Sequence, residues 1–439
     1  MKQTLDFNDF SNSSIEIWKK RVIKELGDKA YDSLIWGFDD NLSIEPYYAE
    51  ANQKLKVVAK SSSEWAIKES FVYNDPKTLN RTILESLEGG INAIEVIIND
   101  NVDVDFNLLF KDVFTQYILV FFSGEFATHK TVSDFFEYSK SKGVDVTLLT
   151  GGLLSYADQF EISNRINLLK STQCSFEFFN IDAVKIQKQG GNASHSIVYA
   201  LSQGTSLLET LIENGVDLST AANSIRFSFA TEPSYFIEIG KLRAFRTLWA
   251  QVLKAFDPEI DVVNSIRIDS KTSSFYQSSV DRHNNMLRAT TQSMSAIIGG
   301  TDTLEVLGFE TSLGLTTSES RRWARNIQHL LIEESYFNQL QDASKGSYYI
   351  EEITYKLAEH AWKRFQYWQA KNESLDNSEE WNSHLTHCIS EMKKTIENGS
   401  KVFLGVNKYP NKTEKISLNN ASKDRLVADF ETKIEEEKQ

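Results

Sequence analysis

Apolar positions along the chain fall into two alternating kinds of segment. Short, nearly continuous apolar runs occupy residues 65–73, 93–98, 117–122, 144–149, 178–185, 224–229, 262–268 and 296–304. Longer stretches between them carry apolar residues at helical spacing. Phe236, Ile239, Leu242, Phe245, Trp249, Val252 and Phe256 form one stripe; Ala200, Leu207, Leu208, Leu211 and Ile212 form another. A continuous apolar run suits a strand buried on both faces, and a 3.6-residue period suits a helix packed over it. Eight such strands, most of them separated by helices, predict an α/β chain folded as a (β/α)8 TIM barrel. The eighth run holds two glycines, so a helix-to-strand turn is the alternative reading there.

The flanks read differently. Ser13 and Glu16 have capping-box spacing; Ile15, Trp18, Val22 and Leu26 recur at helical spacing, and Gly27 is a natural stop. Residues 35–38 and 42–48 read as extended arms. Beyond the barrel, 335–372 reads as further helix, 374–384 as a polar linker and 381–396 as another helix. Residues 401–410 read as a short strand closed by Pro410, and 411–439 as a charged tail, helical in part. The expected division is an N-terminal helix and extended arm (1–60), a barrel (61–372) and a C-terminal linker, helix, short strand and charged tail (373–439).

Composition narrows the partners. A net charge of −14 disfavours nucleic acid and anionic membranes, which need basic patches. Two cysteines, Cys174 and Cys388, are too few for a disulfide framework, and no Cys/His group has zinc spacing. No apolar run reaches the roughly 18 residues of a membrane span. The first residues lack the apolar core of a signal peptide, so a soluble, cytoplasmic protein is expected.

Catalytic groups of a barrel come from strand C-terminal ends and the loops that follow. Those positions offer Lys185, Gln187, Thr231, Glu232, Ser270, Lys271, Ser273 and Ser274. A lysine there could form a Schiff base or bind phosphate; the plainer reading pairs Lys185 with a carboxylate such as Glu177. Of Lys68 and Glu69 on the first strand, one should face the barrel interior, with Arg226 or Arg267 as the expected counter-charge. Gly151-Gly152, Gly190-Gly191 and Gly299-Gly300 lack phosphate-loop spacing and read as turn glycines. His384 and His387 read as a solvated surface pair, and His283 as a packing or capping residue. Nothing combines a nucleophile, a base and an orienting group.

One long block carries a resemblance. It holds Asp281-Arg-His-Asn284-Asn285-Met-Leu-Arg288, Gly299-Gly300-Thr301, Trp323-Ala-Arg325-Asn326-Ile-Gln328, Glu333-Glu334-Ser335 and Gly346-Ser347-Tyr348-Tyr349-Ile-Glu351-Glu352. With Ser224-Ile-Arg226-Phe-Ser228-Phe229, Lys241-Leu242-Arg243-Ala244 and Gly405-Val406-Asn407-Lys408-Tyr409, it resembles the barrel of the adenosylcobalamin-dependent methylmalonyl-CoA mutases. The resemblance covers nearly the whole chain to about residue 410. It implies a barrel that threads CoA down its axis under a cobalamin-binding, flavodoxin-like domain, and a radical interconversion of methylmalonyl-CoA and succinyl-CoA.

Three departures count against catalysis by this chain. None of the seven histidines stands in the cobalt-ligating Asp-x-His-x-x-Gly pattern, so the cobalamin-binding domain is expected to be lacking. The Tyr-x-Thr-Met-Tyr loop is replaced by the polar stretch 49–64. Val184 and Lys185 stand where the family has Tyr-His, whose histidine donates to the thioester carbonyl, and Val280 replaces the glutamine before Asp281. Kept scaffold and lost chemistry resemble the small (beta) subunit of heterodimeric bacterial mutases. On that reading the chain is a pseudoenzyme subunit. Lys185, Val184 and Val280 are degenerate positions, and Lys185, Gln187, Arg226, Lys271 and Asp281 are vestigial mouth groups. The chain is then expected to bind no cofactor or metal. Adenosylcobalamin resides in a large (alpha) subunit, the expected partner. Two alternatives stay open: the acyl-CoA-binding catalytic half of a split cobalamin-dependent mutase, and a repurposed barrel acting through Lys185 or Lys271.

Overall fold

The computed structural model describes residues 14–39, 42–50, 55–155, 158–172, 174–411, 418 and 421–438. The chain enters through a helix, Ile15–Leu26, whose cap is Ser14, accepting from the Ile17 amide at 3.3 Å. Ser13, the expected cap, lies outside the described residues. No residue of this helix is buried: Ile15, Ile17 and Leu26 face outward, while Trp18 packs on Tyr31 and Tyr47. The expected extended arms pair as an antiparallel hairpin of β1 (Trp36–Asp39) and β2 (Leu42–Ile44).

The barrel strands follow: β3 (Ala66–Val72), β4 (Ala93–Ile97), β5 (Leu119–Ser123), β6 (Thr150–Leu153), β7 (Phe176–Glu177), β8 (Phe179–Asp182), β9 (Ile225–Thr231), β10 (Arg267–Thr272) and β11 (Thr303–Glu305). They form one parallel sheet in the order β7-β6-β5-β4-β3-β11-β10-β9-β8. β7 and β8 are two halves of one stave broken at Phe178, whose carbonyl accepts from Arg165. The sheet therefore runs around eight staves, the (β/α)8 architecture that the apolar runs predict.

Several strand boundaries differ from the apolar pattern. Residues 144–149 are not the fourth strand: Val146–Leu148 is a 3-10 turn and the strand is Thr150–Leu153. Gly151 and Gly152 thus lie in a strand rather than a turn. Gly151 has φ 135°, and a Cβ there would collide with the Val120 carbonyl. The seventh strand is Arg267–Thr272 instead of 262–268, and residues 296–298 close a helix before the short β11.

The helix Tyr235–Phe256 and the first half of the helix Ala193–Glu213 are buried nearly all round. A further helix, Tyr348–Lys371, packs over both, so their outer faces are covered as well as their inner ones. Of the expected stripe, only Phe236 and Phe256 at its two ends are exposed. The expected linker 374–384 is a 3-10 turn, Leu375–Asn377, followed by the helix Glu379–Glu397, and residues 401–410 hold one isolated bridge, Leu404 to Lys408, instead of a strand. The tail ends in a helix, Ala428–Lys438.

Candidate functional site: a barrel axis filled with ion pairs

Alternate residues of each strand face the barrel interior. Lys68 is the inward member of its pair. Its ammonium lies 2.7 Å from Asp269 on β10 and 3.0 Å from Glu95 on β4. The counter-charges are therefore acidic, and Arg226 and Arg267 serve other partners. Glu69 faces outward to Arg321 and Arg325 on the helix Ser318–Glu333.

Arg226 grips Glu177 with two guanidinium nitrogens and donates to Thr303 at 2.8 Å. It is the second residue of β9, so it lies in the lower axis rather than at the mouth. Arg267 stands 3.8 Å from the same Glu177. Lys271, near the C-terminal end of β10, pairs with Glu305 at 2.8 Å. Phe121 closes the centre, with Lys68 5.6 Å and Arg226 4.7 Å from its ring centroid. Four cations (Lys68, Arg226, Arg267, Lys271) thus meet four carboxylates (Glu95, Glu177, Asp269, Glu305).

The electrostatics follow from this packing. Burial alone would lower the Lys68 ammonium, but Asp269, Glu95 and Glu305 overcome it and hold it above the ordinary lysine value. Burial would likewise lower Lys271, and Glu305 and Glu95 raise it instead. Burial pushes Glu95 upward, yet Lys68 and Lys271 outweigh that and hold it below the ordinary carboxylate value. Such groups are locked in their charged forms. Glu305 and Glu95 thus favour the ammonium form of Lys271.

The remaining sequence candidates are scattered. Val184 and Lys185 sit on the short helix Val184–Lys188, where the expected strand has already ended. Lys185 pairs with Asp376 at 2.8 Å, not with Glu177, and lies over the Tyr199 ring. Gln187 is buried and accepts from Ser273 at 2.5 Å. Asp281 is held by Asn284 at 2.6 Å under Gly405, whose φ of 80° and lack of a Cβ permit the approach. Val280 packs with Phe275, Tyr276, Phe403, Val406 and Leu426. His283 stacks on Phe309, and Gly190-Gly191 and Gly299-Gly300 are turn and helix-end positions.

The chain's own tail covers the loops after β10 and β11. Arg425 and Glu431 form a buried ion pair at 2.6 Å. Glu431 also accepts from the Ser278 hydroxyl and the Ser279 amide, and the Ser422 amide donates to Ser312. The polar groups of Ser278 and Ser279 thus face the tail, and no histidine of the chain stands in the cobalt-ligating pattern.

Sequence reasoning missed one cluster. His195, His384 and Cys388 bring their potential ligand atoms within 4.8 Å of one another. His384 pairs with Cys388 on one helical face, while His387 is exposed on another. The third member is remote in sequence, so spacing carries no signal of it.

A methylmalonyl-CoA mutase family model matches residues 159–439. The chain is 28% identical to the methylmalonyl-CoA mutase small subunit of Porphyromonas gingivalis over 93% of its length and 71% of that protein. It is 24% identical to a methylmalonyl-CoA mutase of Cereibacter sphaeroides over 90% of its length and 64% of that protein. It is 32% identical to the methylmalonyl-CoA mutase large subunit of Streptomyces virginiae over 53% of its length; it spans only 32% of that longer protein.

Proposed function

The chain belongs to the methylmalonyl-CoA mutase family, and from that premise we propose that it is a non-catalytic small subunit, paired with a large subunit that holds adenosylcobalamin and the CoA ester. One observation carries the reading. A catalytic barrel of this kind is expected to thread CoA along its axis, and here Lys68 on β3 and Arg226 on β9 both lie over the Phe121 ring of β5, with Glu95, Glu177 and Asp269 paired beside them. Opening a channel would displace the Phe121 ring and the cations packed on it, and a buried charge left without its partner costs about 3–5 kcal/mol. The missing thioester donor supports the same reading: Lys185 stands at the histidine position and turns to Asp376.

The N-terminal segment is the proposed contact with the large subunit. Ile17, Leu26, Leu34, Trp36 and Tyr47 expose apolar surface beside the hairpin. A stable heterodimer would bury on the order of 2,000 Å² or more, and apolar groups of this size suit its centre. Co-expression with a large subunit from the same genome tests the proposal. A stoichiometric complex whose turnover requires only the large subunit's active site supports it. A chain that stays monomeric beside the large subunit, or that turns over a CoA ester itself with added coenzyme, overturns it.

A further inference from the structure

We propose that His195, His384 and Cys388 form a binding site for a borderline-soft divalent cation, Zn2+ foremost, that fastens the helix Glu379–Glu397 to the start of the helix Ala193–Glu213. His384 and Cys388 stand one helical turn apart and so share a face. Their Nε2 and Sγ atoms are 3.7 Å apart. Tetrahedral zinc, with Zn–S near 2.3 Å and Zn–N near 2.0–2.1 Å, places such a pair about 3.6 Å apart. The observed spacing therefore needs little adjustment.

His195 supplies the third ligand from the opposite side. It is fully buried, and its ring lies 4.9 Å from that of His384 and 5.3 Å from Trp381. Its Nδ1 meets the Asn192 side-chain oxygen at 2.5 Å and, more distantly, the Asn192 backbone amide at 3.3 Å. A proton on Nδ1 makes the shorter contact a hydrogen bond to Oδ1 and leaves Nε2 as the lone-pair nitrogen, the arrangement that outer contacts impose on metal-binding histidines. Arg364 donates to this Nε2 at 2.9 Å. A cation displaces the guanidinium from that lone pair and takes the Cys388 sulfur as thiolate, releasing its proton to solvent. Two imidazoles and one thiolate select a metal such as Zn2+ over Mg2+ or Ca2+, which prefer oxygen. Water completes the fourth position. The tie would hold the helix that carries Trp381 and Leu385 against the barrel, independently of any role in a mutase.

Titration of the purified full chain with Co2+ tests this. The expected result is saturation at one equivalent with a thiolate-to-cobalt charge-transfer band, bleached by Zn2+. Cys388→Ser should abolish the band, His384→Gln should weaken binding at least tenfold, and Cys174→Ser should leave both unchanged. Arg364→Gln, which clears the competing donor, should tighten binding. Circular dichroism establishes that each variant is folded. No saturable uptake at one equivalent, or a band that survives Cys388→Ser or vanishes with Cys174→Ser, overturns the proposal.

Discussion

Lys68 and Asp269 meet inside the barrel at 2.7 Å, from strands β3 and β10, which flank the short strand β11. The contact spans the intervening strand β11, and with Glu95 on β4 it makes Lys68 the hub of the interior network. Replacing Lys68 with Met leaves two carboxylates buried without their cation. The expected loss is about 3–5 kcal/mol of unfolding free energy, read as a lower urea midpoint. A loss below about 1 kcal/mol, the range of an exposed pair, would contradict a closed axis.

The network also sets a pH window. Glu95 loses its proton more readily folded than unfolded, so its contribution is complete above its ordinary value of 4.5 and is lost as pH falls below that. Lys68 holds its proton more tightly folded, so its contribution is complete below 10.5 and is lost only as pH rises beyond. The thermal midpoint should therefore stay nearly level between these limits as far as these two groups govern it, with an acid decline that Glu95→Gln makes shallower. Scanning calorimetry across pH checks this.

Arg425 and Glu431 are both buried where the tail meets the loop Phe275–Val280. Arg425→Ala leaves Glu431 charged and unpaired, at a cost of about 3–5 kcal/mol. The tail should yield before the barrel does. Hydrogen exchange should rise in residues 278–280 and 425–434 while strands β3 to β5 stay protected.

Ile17 is 57% exposed and Leu26 56% exposed on a helix with no buried residue. Ile17→Asp with Leu26→Asp should change the chain's own stability by no more than about 0.5 kcal/mol per site. Capture of the large subunit should fall at least tenfold, which a pull-down against the unaltered chain measures.

Much of the barrel is legible from its apolar runs, and the places where it is not share a cause. Strand β10 reads Arg-Ile-Asp-Ser-Lys-Thr because its inward positions carry charge, so hydrophobicity ends where the strand begins. Strand β6 contains two glycines because its backbone crowds Val120 and Glu177, leaving little apolar signal. The tail looks like solvated charge, yet Arg425 and Glu431 neutralise each other in the interior. Pairing is equally hidden: strand alternation foresees that one of Lys68 and Glu69 turns inward, but not which one, nor which strand supplies its partner. The His195–His384–Cys388 cluster joins two helices nearly 190 residues apart, beyond the reach of motif spacing.

The central claim is a barrel whose axis is shut to CoA. Isothermal titration of the purified chain with methylmalonyl-CoA tests it most directly. No saturable heat is expected at millimolar ligand, with or without added adenosylcobalamin. One-to-one binding in the micromolar range, weakened by replacing residues on the axis such as Arg226 or Lys271, would contradict it.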